Sequence, residues 1–155
     1  MVLLDNVRSA LNVGSAFRTS DAFLIESIAL CGITATPPHR EILKTAIGAT
    51  AAVDWQHFET TLEAVESYQA AGYQVWAVEQ AANSTPLQNI AFESDQKLVL
   101  VFGNEVKGVD QAVMNVVDGA IEIPQFGTKH SFNISVSMGI VLWQVVQQVR
   151  PTLFE

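Results

Sequence analysis

Two short polar stretches near the tail of the chain hold most of the side chains suited to chemistry. Gly103-Asn104-Glu105-Val106-Lys107-Gly108 follows the apolar run Leu98 to Phe102, and Pro124-Gln125-Phe126-Gly127-Thr128-Lys129-His130 follows a second run, Ala120 to Ile123. Glycines at 103 and 108 can expose backbone N–H groups, so a phosphate-binding loop is one chemistry open to the first stretch. His130 has an ordinary pKa near neutral pH and is a candidate general base. A third polar stretch, NVGSAFR from Asn12 to Arg18, lies near the other end. Of the eight basic residues, Arg8, Arg18, Lys107 and Lys129 fall in or beside these regions. They allow a locally basic mouth on an acidic body.

Each of these residues also has a plainer reading. Arg18 and Asp21 stand at i,i+3 on one helix face, so a local ion pair would account for both. Gly14 could serve only a tight helix–sheet contact, and Pro124 with Gly127 could form a plain turn. Cys31, in an apolar run, reads as a small buried hydrophobe. His39, beside two prolines, reads as a turn residue, and His39, His57 and His130 are too scattered for a metal triad, so no metal is expected. Trp55, His57 and Phe58 alternate as a base-stacking platform would, but Asp54 and Glu59 favour packing beneath a loop. The chain has no GxGxxG after its first strand and no GxxxxGK[ST], HExxH or GxSxG, which leaves nicotinamide, nucleotide-hydrolysis, zinc-protease and esterase chemistry little support.

The elements that must position these residues follow from pattern. Val2 to Leu4 and Ser27 to Ile33 read as strands, separated by a helix over Asn12 to Phe23 with Asn12 as its cap. A short helix over Arg40 to Ile47 follows the Pro37-Pro38 break, and Ala49 to Val53 reads as a short strand or edge segment. Thr60-Thr61-Leu62-Glu63 is a capping box that opens a helix running to Gly72, and Tyr73 to Val78 is the next strand. Asp110 caps a helix over 111–117, and Ser131 or Asn133 caps a long last helix with a wide apolar face at Met138, Val141, Val145 and Val149. Helix beside strand, repeated, implies an α/β fold with a mainly parallel sheet and helices on both faces. In such a sheet ligands bind outside the carboxyl ends of strands, so the loops after Phe102 and Ile123 imply one shared pocket. The apolar face of the last helix suits a homodimer.

At 155 residues, with 49% hydrophobic and 15% charged residues, the chain reads as one folded domain, 1–155. Membrane insertion is not expected, because no apolar run approaches the length of a span. The start MVLLDNVRS lacks a basic region before its apolar residues, and one cysteine allows no internal disulfide, so the expected setting is cytoplasmic. The net charge of −8 argues against a broad nonspecific nucleic-acid face, though not against a small one.

Three blocks, Asn6 to Phe23 (NVRSALNVGSAFRTSDAF), Leu98 to Val109 (LVLVFGNEVKGV) and Ala120 to Trp143 (AIEIPQFGTKHSFNISVSMGIVLW), carry a resemblance. In this order they resemble the SpoU, or TrmH-like, RNA 2'-O-ribose methyltransferases of the SPOUT superfamily. The resemblance implies a deep C-terminal trefoil knot in the α/β sheet, a homodimer, and transfer of a methyl group from S-adenosylmethionine to a ribose 2'-hydroxyl of structured RNA, either tRNA or rRNA. It implies donor contacts at Phe102, Gly103, Asn104, Gly108, Ile123, Pro124, Phe132 and Asn133. Glycines there would let backbone approach a bulky cofactor, and Ile123, Pro124 and Phe132 would bed its adenine. It also implies a catalytic set of Arg18, Asn12, Glu105, Ser131 and Asn133. Arg8, Arg18, Lys107 and Lys129 are the expected RNA contacts.

Arginine is the family's usual proposed base, yet its pKa keeps it charged, and holding an RNA phosphate beside a developing alkoxide is the more comfortable role. Two departures stand out. Phe132 lies between Ser131 and Asn133 where many members have leucine, and no separate RNA-binding domain is expected, which leaves weak RNA binding, an accessory protein for RNA recruitment, or recognition of a small structured site across the dimer as the alternatives. The competing reading is a catalytically inactive cofactor-binding dimer serving as an RNA-associated or protein-interaction module; base methylation is a further enzyme alternative.

Overall fold

Period-two alternation decides which helical layer each central strand serves. The computed structural model describes residues 1–129 and 131–155. In chain order the elements are β1 (Val2–Asp5), α1 (Ala10–Ala22), β2 (Ser27–Cys31), α2 (Arg40–Ala46), β3 (Asp54–Phe58), α3 (Thr61–Ala70), β4 (Gln74–Val78), β5 (Thr85–Pro86), β6 (Leu98–Phe102), α4 (Gln111–Met114), β7 (Gly119–Glu122) and α5 (Ile134–Val149). Strands β1 and β6 are buried along their whole length. Val2, Leu4, Leu98, Leu100 and Phe102 pack on one side of the sheet with Phe17 of α1 and Met138, Val141 and Leu142 of α5. Leu3, Val99 and Val101 point to the other side, against Ala64 and Val65 of α3 and Val113 of α4. Two-sided burial is what a continuous apolar strand encodes.

The sheet is parallel throughout, in the order β3-β2-β1-β6-β4-β7-β5. The last two strands are both inserted between earlier ones, β6 between β1 and β4 and β7 between β4 and β5. Their following loops therefore flank the end of β4 on the sheet's carboxyl edge, an order that suits a threaded C-terminal segment. The far end of α5 is pinned. Gln148 accepts from the Phe92 N–H at 2.8 Å and donates to the Ile90 carbonyl at 3.2 Å, and the Arg150 guanidinium donates to the Leu24 carbonyl at 2.7 Å.

Three expectations need correction. Asn12 is not the cap of α1; Ser9 is, its Oγ accepting from the Asn12 N–H at 3.2 Å, so the helix begins two residues before Asn12. Residues Ala49–Ala51 form a 3₁₀ turn after Gly48, which is held at φ 85, and the strand lies further on at Asp54–Phe58. That strand is an edge with Trp55, Gln56 and His57 exposed, so it lacks the burial alternation by which strands are read. Helix α4 ends at Met114 rather than at residue 117. The capping box at Thr60 forms, with Thr60 accepting from the Glu63 N–H at 3.2 Å.

Candidate functional site

The loop after β6 folds back on itself. Asn104 and Gly108 exchange backbone hydrogen bonds of 3.0 and 2.9 Å, and the Asn104 side chain accepts from the N–H groups of Val106 and Lys107. Gly103 lies so close to Gly108 and Val109 that a Cβ would overlap their backbone. Gly108 sits at φ +71, and a Cβ there would overlap the Glu79 carboxylate. That carboxylate accepts from the Val109 N–H at 3.0 Å, tying the loop to the end of β4. The glycines are thus required by geometry at both ends of the turn.

A second set of bonds joins this loop to the front of the chain. The Asn104 amide donates to the Asn6 carbonyl at 2.7 Å. Glu105 accepts from the Arg8 N–H at 2.9 Å, the Ser9 N–H at 3.0 Å and the Asn12 side chain at 3.0 Å. The α1 N-terminus therefore receives its carboxylate from the far end of the sequence rather than from its own third residue. Partial burial pushes the Glu105 carboxyl upward, but the hydrogen bonds from Arg8, Ser9 and Asn12 together outweigh it and leave the group below its ordinary value.

Buried Asp5, at the end of β1, knits the same region from below. It accepts from the Thr61 hydroxyl, the Asn6 amide at 2.9 Å and the Asp110 N–H at 2.8 Å. Neither Asp5 nor Glu79 was singled out from the sequence. Their only signal is a carboxylate immediately past or at the end of an apolar strand, a position many solvated acids share.

These loops enclose a cleft of about 1070 Å³ at the carboxyl ends of β4, β6 and β7. Phe102, Gly103, Asn104, Glu105, Lys107, Gly108, Ile123, Ser131, Phe132 and Asn133 all line it. Pro124 does not; Gln125 takes that place on the wall. Asn133 caps α5, its Oδ1 accepting from the Ser135 N–H at 2.9 Å. Arg18 does not line the cleft either. It is exposed on α1 and borders a separate depression beside the first turn of α5, and no ion pair with Asp21 forms among the described residues. Asn12 meets the cleft through Glu105, while Arg8 and Lys129 are exposed. His130 lies outside the described residues.

The walls suit a bulky, partly apolar cation. Gly103 contributes backbone to the wall, apolar surface comes from Phe102, Ile123 and half-exposed Phe132, and Glu79, Glu105 and Glu122 supply carboxylates. Cys31 offers no competing nucleophile, since burial first and the nearby Asp5 charge second push its thiol up to about 12. No group of three or more His, Cys, Asp or Glu among the described residues is arranged to hold a metal. No helix among them is long and apolar enough to cross a membrane.

The sequence profile of the SpoU rRNA Methylase family matches residues 1–143. An uncharacterized tRNA/rRNA methyltransferase of Borreliella burgdorferi is 27% identical over 153 residues, which are 97% of this chain and 64% of that protein. The AdoMet-bound rRNA methyltransferase from Sinorhizobium meliloti superposes with a TM-score of 0.85 at 31% identity, over 94% of this chain and 54% of its own. The TrmH/SpoU tRNA modifying enzyme of A. aeolicus superposes at 0.84 with 24% identity, over 96% of this chain and 74% of its own, and shares the fold. The chain spans 64%, 58% and 53% of the length of three such relatives.

Proposed function

The chain belongs to the SpoU rRNA methylase family, and from that premise we propose that it transfers a methyl group from S-adenosylmethionine to a ribose 2'-hydroxyl of tRNA or rRNA in the cytoplasm. The observation that carries this reading is the cleft itself: the turns after β6 and β7, on either side of the end of β4, with walls apolar at Phe102, Ile123 and Phe132 and acidic at Glu79, Glu105 and Glu122. S-adenosylmethionine, when bound, supplies an electrophilic methyl group on a positively charged sulfur. Gly103, Asn104 and Gly108 would hold the donor through exposed backbone, with Phe102, Ile123 and Phe132 against its base. Ser131 and Asn133 fix the last turn before α5, and Pro124 contributes by stiffening the loop rather than by contact.

The protein's tasks are to orient the acceptor oxygen, assist loss of its proton and keep water out. Glu105 serves by locking α1, the helix that carries Arg18, to the donor loop through Arg8, Ser9 and Asn12. It is a positioning residue. Arg18 binds an RNA phosphate and stabilises charge developing on the ribose oxygen, with Arg8, Lys107 and Lys129 as further RNA contacts. Within one chain Arg18 is not on the cleft wall, so the reading includes a homodimer. The α5 face exposes Val136, Ile140 and Trp143 beside Leu153 and Phe154, and a second copy packed there would let the arginine of one copy serve the cleft of the other. Threading of the C-terminal segment into a knot belongs to the same proposal.

Incubation with labelled S-adenosylmethionine and total RNA, followed by nucleoside analysis, tests this. A ribose-methylated nucleoside is expected. A base-methylated product, or donor binding without any RNA product, would overturn it. Arg18→Lys should lower the rate by at least about tenfold, since lysine lacks the planar bidentate fork; near-full activity would remove the need for that group.

A further inference from the structure

The second depression is distinct in charge from the cleft. It holds about 400 Å³ and is lined by Ser15, Arg18 and Thr19 of α1, Lys44 and Thr45 of α2, and Ser135 of α5, with no acidic residue on its walls; apolar Ile47 and Val136 form its rim, the latter on the α5 face where the proposed second copy would pack. In a chain of net charge −8, two cations and four hydroxyl groups sharing a wall without a carboxylate is an unusual grouping. The cleft is acidic by contrast, with three glutamates against one lysine, Lys107, among its walls. Only the first turn of α5 separates the two: Ile134 and Ser137 line the cleft, while Ser135 lines the depression.

Lys44 is held in register with Arg18 by the tight crossing of α1 and α2. A Cβ on Gly14 would overlap the Thr45 side chain and the Ile42 carbonyl, and the Thr45 hydroxyl donates to the Leu11 carbonyl at 2.8 Å. Lys44 stands in the last turn of α2, where interaction with the helix dipole is a sufficient reason for a lysine. That reason does not extend to Arg18, which stands on another helix, nor to the absence of acid from the depression.

We propose that this depression is a phosphodiester site, in which Lys44 and Arg18 hold the backbone of the acceptor RNA strand beside the first turn of α5. The inference rests on the methyl-transfer reading for the identity of the strand. The Thr45 and Ser135 hydroxyls already donate to the Leu11 carbonyl and the Asn133 side chain, so the two cations with the Ser15 and Thr19 hydroxyls are what suit phosphate oxygens, and such contacts position a strand without reading its sequence. The division of charge also fits the two ligands, an acidic cleft for a sulfonium and a basic depression for a polyanion.

The test is binding of a short labelled oligoribonucleotide of mixed sequence, followed by fluorescence anisotropy through a salt titration. Lys44→Glu should weaken binding by about tenfold, and Lys44→Ala should reduce the slope of log affinity against log salt by about 0.7, the share of one single-strand phosphate contact. Lys44→Arg should bind like the wild type. Lys97→Glu makes the same charge change at the opposite end of β6, where Lys97 lies over the Tyr73 ring, and should alter binding less than about twofold. All four variants should retain S-adenosylmethionine binding by calorimetry. Equal effects of Lys44→Glu and Lys97→Glu, or a wild-type protein that binds the donor but not the oligoribonucleotide, would overturn the site. Lys44-dependent binding without methyl transfer to total RNA would support the site and overturn the reaction instead.

Discussion

At the scale of single residues, the candidate site depends on carboxylates used as acceptors rather than as acids. Asp5 is buried and takes hydrogen bonds from three donors on three different segments. Asp5→Asn would turn an N–H₂ toward at least one of those donors, and a buried mismatch of that kind costs about 2–3 kcal/mol. Chemical denaturation should show the loss; an unchanged midpoint would mean the three bonds are dispensable. Glu105 is exposed to solvent on one side, so its effect on global stability is small and screened. Its folded pKa lies below the ordinary 4.5, so its contribution is complete above that value and lost as pH falls through the depressed one. Wild type should therefore exceed Glu105→Gln in stability at neutral pH, with the gap closing only in the acid range. The same variant should lose most of its methyl transfer at neutral pH, because glutamine cannot accept from all three donors at the start of α1.

At the scale of elements, close backbone approaches replace side-chain contacts at two joints. In the loop after β6, Gly103 meets the backbone of Gly108 and Val109, which cannot rotate aside as a side chain could. Gly103→Ala should destabilise the protein by about 1–3 kcal/mol and abolish donor binding. Calorimetry with S-adenosylmethionine measures the second effect, and retained affinity would mean that the loop can open without losing its cradle. The α1–α2 joint at Gly14 is the other, and it sets where Lys44 stands. Sequence periodicity located α1, α3, α5 and the buried strands, because helices and central strands bury a regular pattern against the core. It misplaced β3 because an edge strand with solvent on its outer side has no such pattern. It also gave the cap of α1 to Asn12, since nothing local indicates that Glu105, 93 residues away, holds that asparagine.

At the scale of the whole molecule, an apolar surface among the described residues lies open along α5 and the C-terminal turn. Trp143 is 55% exposed and sits edge-on to Phe23 and Phe154, with Val136, Ile140 and Leu153 also exposed. A patch of this composition suits the core of the interface that the proposed dimer would form. Trp143→Glu should convert the expected dimer to a monomer in sedimentation measurements and remove methyl transfer while leaving the isolated fold intact. A wild-type protein that sediments as a monomer would refute the dimer. A mixture of Arg18→Ala and Gly103→Ala chains offers a second check: if one copy's arginine serves the other's cleft, the mixed dimer should regain activity that neither variant has alone.

Chemistry that is local in the chain was already present in the sequence. Apolar runs that end in glycine mark buried strands and their ligand loops, and the three blocks around Arg18, Glu105 and Asn133 were enough to point to the family. Tertiary structure decided what no local pattern encodes: the insertion of β6 and β7 between earlier strands, the clamp of Glu105 on the start of α1, and the separation of Arg18 from the cleft. The clamp joins Glu105 to Arg8, 97 positions away, and β6 pairs with β1 from the opposite part of the chain. Their existence depends on which strands become neighbours, and strand order is set by the packing of the entire chain.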